Sequence, residues 1–214
     1  MEQEGVIKFD LLFSKAAPVP MDSISDLETW RGILREQQLI GQDPDRYEGY
    51  SYGNVSKRIG SADAPRGHRK FIISGTQTGG LAQLDNSHYA IVTACDTDHN
   101  RIVAEGPIRP SSESLTHGIL YDLDENIRFV FHVHSKAIWE SAPQQCIPVT
   151  SPAVPFGTPA MAYEVQRLFN ETDLVNRRIF AMGGHEDGVV SCGHTAEAAG
   201  SILLAALAAC QTPR

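Results

Sequence analysis

The spacing of apolar residues predicts a chain that opens with a strand and a helix. The run VIKFDLLF at residues 6–13 is typical of a strand. Apolar residues then recur three and four apart from Leu27 to Leu34, behind an S-x-x-E pattern at residues 25–28 that is typical of a capping box. This pattern predicts a helix that continues to about residue 40.

Short apolar runs separated by glycine follow between residues 50 and 110 and predict several strands. Beyond them the pattern predicts helices at 111–123, 159–169 and 195–210, with strands at 127–133 and 178–182. Because strands and helices do not alternate strictly, we expect an α/β fold of the α+β type, in which helical layers flank a central, mainly antiparallel or mixed sheet. No linker divides the chain, so residues 1–214 are expected to form one domain.

Composition narrows the class of protein. The chain has 26 acidic and 18 basic residues, a net charge of -8, which argues against a nucleic-acid partner. Its longest small and apolar stretch, residues 202–210, is too short to span a membrane, and the charged start is unlike a signal peptide, so we expect a cytoplasmic protein. The four cysteines lack paired spacing and are expected to be reduced.

The sharpest chemical feature is His132-Val133-His134 at the end of a predicted strand. Side chains two apart in a strand point to the same face, so both imidazoles can reach one cation. One packed and one surface histidine is the competing interpretation. A third ligand could come from His185, which follows a predicted strand in a glycine-rich turn where it could also be a plain turn residue. Glu186 and Asp187 are possible oxygen ligands there.

A second candidate group lies at the start of the helix after residue 110. Glu113 and His117 are four apart and would project from the same helix face, either as acid/base machinery or as a solvated pair. Ser111 and Ser112 precede them, and free amides at a helix start favour an anion.

Two glycine-containing turns could serve the same anion. Gly53-Asn54-Val55-Ser56 and Thr76-Gln77-Thr78-Gly79-Gly80 each offer short polar side chains and open amides, although either could be a plain turn.

Six motifs in order along the chain resemble the class II aldolase/adducin family. They are GN-x-S at 53–56, TQTG at 76–79, PSSE-x-x-x-H at 110–117, HxHS at 132–135, PFGT at 155–158 and the late His185. The resemblance implies a homotetramer with active sites near subunit interfaces. It further implies a divalent metal, usually zinc, held by three histidines, an acid/base glutamate and a phosphate cradle. By position these are His132, His134 and His185 for the metal, Glu113 for acid/base work, and Asn54, Thr78, Gly79, Ser111 and Ser112 for the substrate.

These roles imply a metal-dependent aldolase or lyase for a small hydroxy-carbonyl compound, a sugar or sugar phosphate, that works through a metal-stabilised enediolate. An epimerase or dehydratase could use the same site, and a non-catalytic module like the adducin head is the alternative from another class. The stretch 136–154 is shorter than in sugar-phosphate aldolases of the family and lacks their proton-donating tyrosine. Tyr121 and Tyr163 are substitutes by residue type alone, and Lys57 and Arg109 are the cations nearest the cradle in sequence.

Overall fold

The computed structural model describes residues 5–61 and 63–211. Within these residues, eight strands form one sheet: β1 (Asp10–Lys15), β4 (Asn54–Arg58), β5 (Phe71–Ser74), β6 (Tyr89–Asp96), β7 (Arg101–Gly106), β8 (Phe129–His134), β9 (Ile179–Ala181) and β10 (Gly188–Gly193). A separate ribbon pairs β2 (Gly41–Gln42) with β3 (Ser51–Tyr52).

The large sheet is mainly antiparallel, as the sequence predicts. Its strand order is β1-β7-β6-β5-β4-β8-β10-β9, and only the β1–β7 pair at one edge is parallel among the described strands. Strands β4, β8 and β10 lie side by side in this order, and β4 and β8 carry most of the GN-x-S and HxH motifs.

Helices cover both faces of the sheet. They are α1 (Ser25–Glu36), α2 (Ser114–Leu123), α3 (Lys136–Ser141), α4 (Pro159–Glu171), α5 (Leu174–Arg177) and α6 (Ala196–Gln211). One apolar core lies between the sheet and α2, α4 and α5, and the other lies between the sheet and α1, α3 and α6. The predicted flanking helical layers are confirmed.

Side-chain alternation in β8 decides where the histidines point. Val130 belongs to the core beneath α2 and α4, whereas Phe131 and Val133 belong to the opposite core. His132 and His134 have the parity of Val130, so both imidazoles face the α2 side.

The predicted capping box at the start of α1 is wrong. A short 3-10 helix, Met21–Ile24, runs directly into α1, so Ser25 already has helical backbone and makes no side-chain cap. Its hydroxyl donates to the Asp22 carbonyl (3.2 Å), and the Glu28 carboxylate accepts from the Leu84 amide (2.9 Å). Glu28 therefore ties the helix to a distant loop instead of capping it.

Two further expectations concern thiols and membranes. All four cysteines are free thiols. None of the helices in the described residues has the length and apolar character needed to cross a bilayer.

Candidate metal centre

Strand β8, which lies between β4 and β10 in the sheet, carries two of the candidate metal ligands. β8 pairs with β4 on one side and β10 on the other, so His132 lies opposite Asn54 and Val190, and His134 lies opposite Gly188. Both imidazoles are buried, at 0% and 1% exposure. The alternative of one packed and one surface histidine is therefore wrong.

The turn between β9 and β10 supplies the third histidine. The His185 amide donates to the Met182 carbonyl (3.1 Å), and the His185 carbonyl accepts from the Gly188 amide (2.9 Å). A Cβ on Gly184 would lie 2.0 Å from the Val154 carbonyl oxygen, so only glycine lets the turn pack against that segment. The glycines thereby seat His185 beside β8.

The three imidazoles converge on one point. The Nε2 atoms of His132 and His134 are 3.1 Å apart, and one ring nitrogen from each of the three residues lies within 4.8 Å of the others. The ring centroid of His185 is 5.1 Å from that of His132 and 4.7 Å from that of His134. His185, 51 residues further along the chain than His134, is thus part of the same cluster.

This donor set fits a divalent cation. Burial lowers the pKa of His132 and His134 well below the usual histidine value, so both rings are neutral and able to ligate. Two nitrogens bound to one tetrahedral zinc at 2.0–2.1 Å would be about 3.3 Å apart, close to the observed spacing. Among the described residues the cluster contains these three histidines and neither Glu186 nor Asp187.

Glu113 lies against the histidine cluster. It is the residue immediately before α2 and is only 1% exposed, which contradicts a solvated Glu–His pair. Its Oε1 is 3.9 Å from His185 Nδ1, and its Oε2 accepts a hydrogen bond from Thr116 Oγ1 (2.9 Å). The carboxylate is therefore oriented and buried beside the third histidine.

A small polar cavity lies next to residues that neighbour the cluster, since Asn54 is paired with His132 across the strands and Ser112 directly precedes Glu113. Asn54, Ser111 and Ser112 line it together with Gly5, so three of the five predicted cradle residues share one space. Asn54 Oδ1 is buried and has no hydrogen-bond partner among the described residues. The loop at 75–80 reaches the same place because the Thr76 amide donates to the Arg109 carbonyl (3.1 Å).

The other two predicted cradle residues build the loop and are not among the residues lining this cavity. Thr78 Oγ1 donates to the Gly75 carbonyl (2.8 Å). The buried Arg31 guanidinium donates to the carbonyls of Thr78 (3.0 Å) and Gly79 (3.3 Å). Neither predicted cation is among the residues lining this cavity: Lys57 pairs with Asp26 (2.7 Å), and Arg109 is exposed.

His117 belongs to a buried hydrogen-bond chain beneath the site. The Ser56 hydroxyl is 2.6 Å from His117 Nδ1 and 2.6 Å from the Tyr121 hydroxyl. Burial lowers the pKa of His117 to about 3, so the ring is neutral. Tyr121 is thus engaged in the core, while Tyr163 is 48% exposed and donates to Asp98 (2.9 Å).

Tyr47, which the sequence patterns did not indicate, lies against the histidine cluster. The Tyr47 ring contacts His134, with centroids 4.7 Å apart. Its hydroxyl donates to Asp187 Oδ2 (2.6 Å), which also accepts from Arg46 (3.2 Å). Tyr47, Glu48 and Asp187 all have left-handed backbone, with φ of 50°, 57° and 61°. Strained backbone of this kind concentrates at functional sites.

The model of one protein family, described as the class II aldolase and adducin N-terminal domain, matches residues 45–212. The chain belongs to the class II aldolase and adducin family. All six motifs named above lie within the matched region. No curated protein matches the sequence significantly.

Solved structures of class II aldolases share the fold. An L-fuculose 1-phosphate aldolase is 19% identical, with a TM-score of 0.63 over 90% of this chain and 84% of that chain. The N-terminal class II aldolase domain of a Thermoplasma acidophilum protein is 17% identical, with a TM-score of 0.59 over 92% and 96%. A sugar-phosphate aldolase from Thermotoga maritima is 16% identical, with a TM-score of 0.56 over 90% and 97%. At these identities the similarity shows the fold alone.

Proposed function

We propose that the protein is a divalent-metal-dependent aldolase that cleaves a small hydroxy-carbonyl compound, a sugar or sugar phosphate. The observation that carries this proposal is the convergence of three buried imidazoles beside a buried carboxylate and a polar cavity. A homotetramer is the assembly we expect from the family.

His132, His134 and His185 would hold the metal, with zinc as the expected ion. When bound, a divalent cation with three neutral ligands and an open position would polarise a substrate carbonyl and its neighbouring hydroxyl.

Glu113 would move the proton. Its Oε1 lies 3.9 Å from His185 Nδ1, while Oε2 accepts a hydrogen bond from Thr116, so in this proposal Oε1 is the oxygen that would act on the substrate. That oxygen would take the proton from the hydroxyl as the carbon–carbon bond breaks. In an epimerase the same bond would break and re-form, and in a dehydratase the proton would come from carbon. In this proposal, Asn54, Ser111 and Ser112 bind the substrate's polar or phosphate end, with Thr78 and Gly79 shaping the loop behind it.

Metal analysis of the purified protein and of a His132→Ala/His134→Ala variant tests the metal assignment. His99→Ala is the matched control, because His99 is exposed and pairs with Asp96 (2.9 Å). We expect about one metal per chain in the wild type and the control and none in the double variant. Equal metal in all three would overturn the proposal.

The base is tested separately with Glu113→Gln. This variant should retain metal but lose both aldehyde release and exchange of substrate protons with solvent. Exchange at the full rate would show that another group is the base, and no aldehyde release by the metal-loaded wild type across a sugar-phosphate panel would contradict the aldolase assignment.

A further inference from the structure

Residues 5–9, which lie outside the region matched by the family model, pack close to the metal centre. Residues 5–9 precede β1, well before the matched region begins at residue 45. Two hydrogen bonds fix this backbone at the sheet edge: the Asp10 amide donates to the Asn100 carbonyl (2.8 Å), and Asn100 Nδ2 donates to the Lys8 carbonyl (3.0 Å). The position of Lys8 is therefore set by the parallel pairing of β1 with β7.

The Lys8 side chain is directed at Phe156. Its Nζ donates to the Phe156 carbonyl (3.1 Å) and lies 3.6 Å from the centroid of the Phe156 ring. An ammonium over an aromatic face at this distance is a favourable cation–π contact. Both the backbone and the ring of Phe156 are thus held by one side chain.

Phe156 in turn packs on the third histidine. The rings of Phe156 and His185 are stacked, with centroids 4.1 Å apart and planes 19° apart, and Phe156 is only 1% exposed. Because the imidazole covers one face of the phenyl ring, the ammonium must occupy the other face. Lys8, Phe156 and His185 therefore form a continuous stack that ends at the metal cluster.

The same segment also borders the polar cavity. Gly5 lines the cavity beside Asn54 and Ser112, and its carbonyl accepts a hydrogen bond from Thr76 Oγ1 (3.4 Å). Residues 5–9 thus border the cavity directly at Gly5 and approach the third histidine indirectly, through the contact of Lys8 with Phe156.

We propose that residues 5–9 help to orient the metal ligands. In this proposal Lys8 is a positioning residue, which fixes the ring of His185 through Phe156. This proposal rests on the proposed three-histidine metal site. Removal of a group that orients a metal ligand typically lowers metal affinity 10–100-fold.

Titration of the metal-free protein with Co²⁺, followed by visible absorption and by competition for affinity, tests this role. Lys8→Met keeps an apolar stem but removes the charge and the hydrogen bond. We expect about 10-fold weaker Co²⁺ binding and a changed visible spectrum. Loss of a positive charge alone would instead strengthen cation binding. The direction of the change in Co²⁺ affinity therefore separates positioning from simple electrostatics.

Lys15→Met is the matched control, because Lys15 lies in β1 and donates to the Pro107 carbonyl in the same manner (2.6 Å), yet it is exposed. It should bind Co²⁺ like the wild type. Lys8→Arg should also retain the affinity for Co²⁺ and the visible spectrum. If Lys8→Met does not fold, Lys8→Gln replaces it in the experiment. In a Phe156→Leu background, Lys8→Met should have little further effect, because its route to His185 is gone.

The outcomes separate two failures. If the wild type binds Co²⁺ but Lys8→Met matches Lys15→Met in affinity and spectrum, the positioning role is overturned and the metal site stands. If the wild type itself binds no Co²⁺, the proposed function fails.

Discussion

The buried chain of His117, Ser56 and Tyr121 gives the sharpest stability prediction. Ser56→Ala removes the shared hydroxyl and leaves His117 Nδ1 and the Tyr121 hydroxyl buried without this partner. All three residues are 0% exposed, so water does not replace it readily. Each stranded polar group costs about 1–3 kcal/mol, and with two such groups we expect a total loss of about 2–6 kcal/mol. At about 2–4 °C per kcal/mol, the Tm should fall by roughly 4–24 °C.

Guanidinium unfolding of the metal-free protein, followed by far-UV circular dichroism at fixed concentration, measures this loss. Ser25→Ala is the control, because that exposed hydroxyl makes one bond to Asp22, and its effect should stay within about 0.5 kcal/mol. Adding Tyr121→Phe to Ser56→Ala removes one stranded group, so the two changes should cost clearly less than their sum. A loss below about 0.5 kcal/mol for Ser56→Ala, or strict additivity, would refute this reasoning.

Three further predictions follow from single contacts. Tyr47→Phe removes a donor to the buried Asp187 carboxylate and should cost about 1.5–3 kcal/mol in the same unfolding assay; an unchanged free energy would contradict that hydrogen bond. His117 has a pKa of about 3 when folded and about 6.5 when unfolded, so the unfolded state binds more protons between these values and stability should fall as pH is lowered from 6.5 toward 3. A His117→Asn variant should lose part of that slope when unfolding is compared at pH 7 and pH 5, and an identical slope would argue against a neutral buried ring. Gly79→Ala would place Cβ 2.4 Å from a backbone carbonyl oxygen and should destabilise the protein, whereas Gly32→Ala, with open space around it in α1, should stabilise it by up to about 1 kcal/mol; thermal unfolding showing equal effects would contradict this packing.

Local patterns predicted that His132 and His134 share one face and offered His185 as a possible third ligand. Strand alternation alone places His132 and His134 on one face, and a glycine-rich turn beside the next antiparallel strand supplies His185. The family resemblance linked these motifs, since spacing along the chain does not reveal which strands pair.

Contacts between distant residues were not predictable in this way. Tyr47 meets Asp187 from 140 positions away, and Lys8 meets Phe156 from 148 positions away. Neither pair has a local signature, because each depends on which elements become neighbours in the sheet. The predicted capping box of α1 was wrong for a related reason, because Glu28 accepts a hydrogen bond from a distant loop and not from the start of its own helix.

The proposed binding of one divalent ion by His132, His134 and His185 can be measured at the metal itself. The experiment is X-ray absorption at the zinc edge of the zinc-loaded protein, with His185→Ala measured beside the wild type. We predict imidazole scattering from three nitrogen ligands at about 2.0–2.1 Å in the wild type, and from two in the variant. A sulfur shell, or the same imidazole count in both proteins, would contradict the claim.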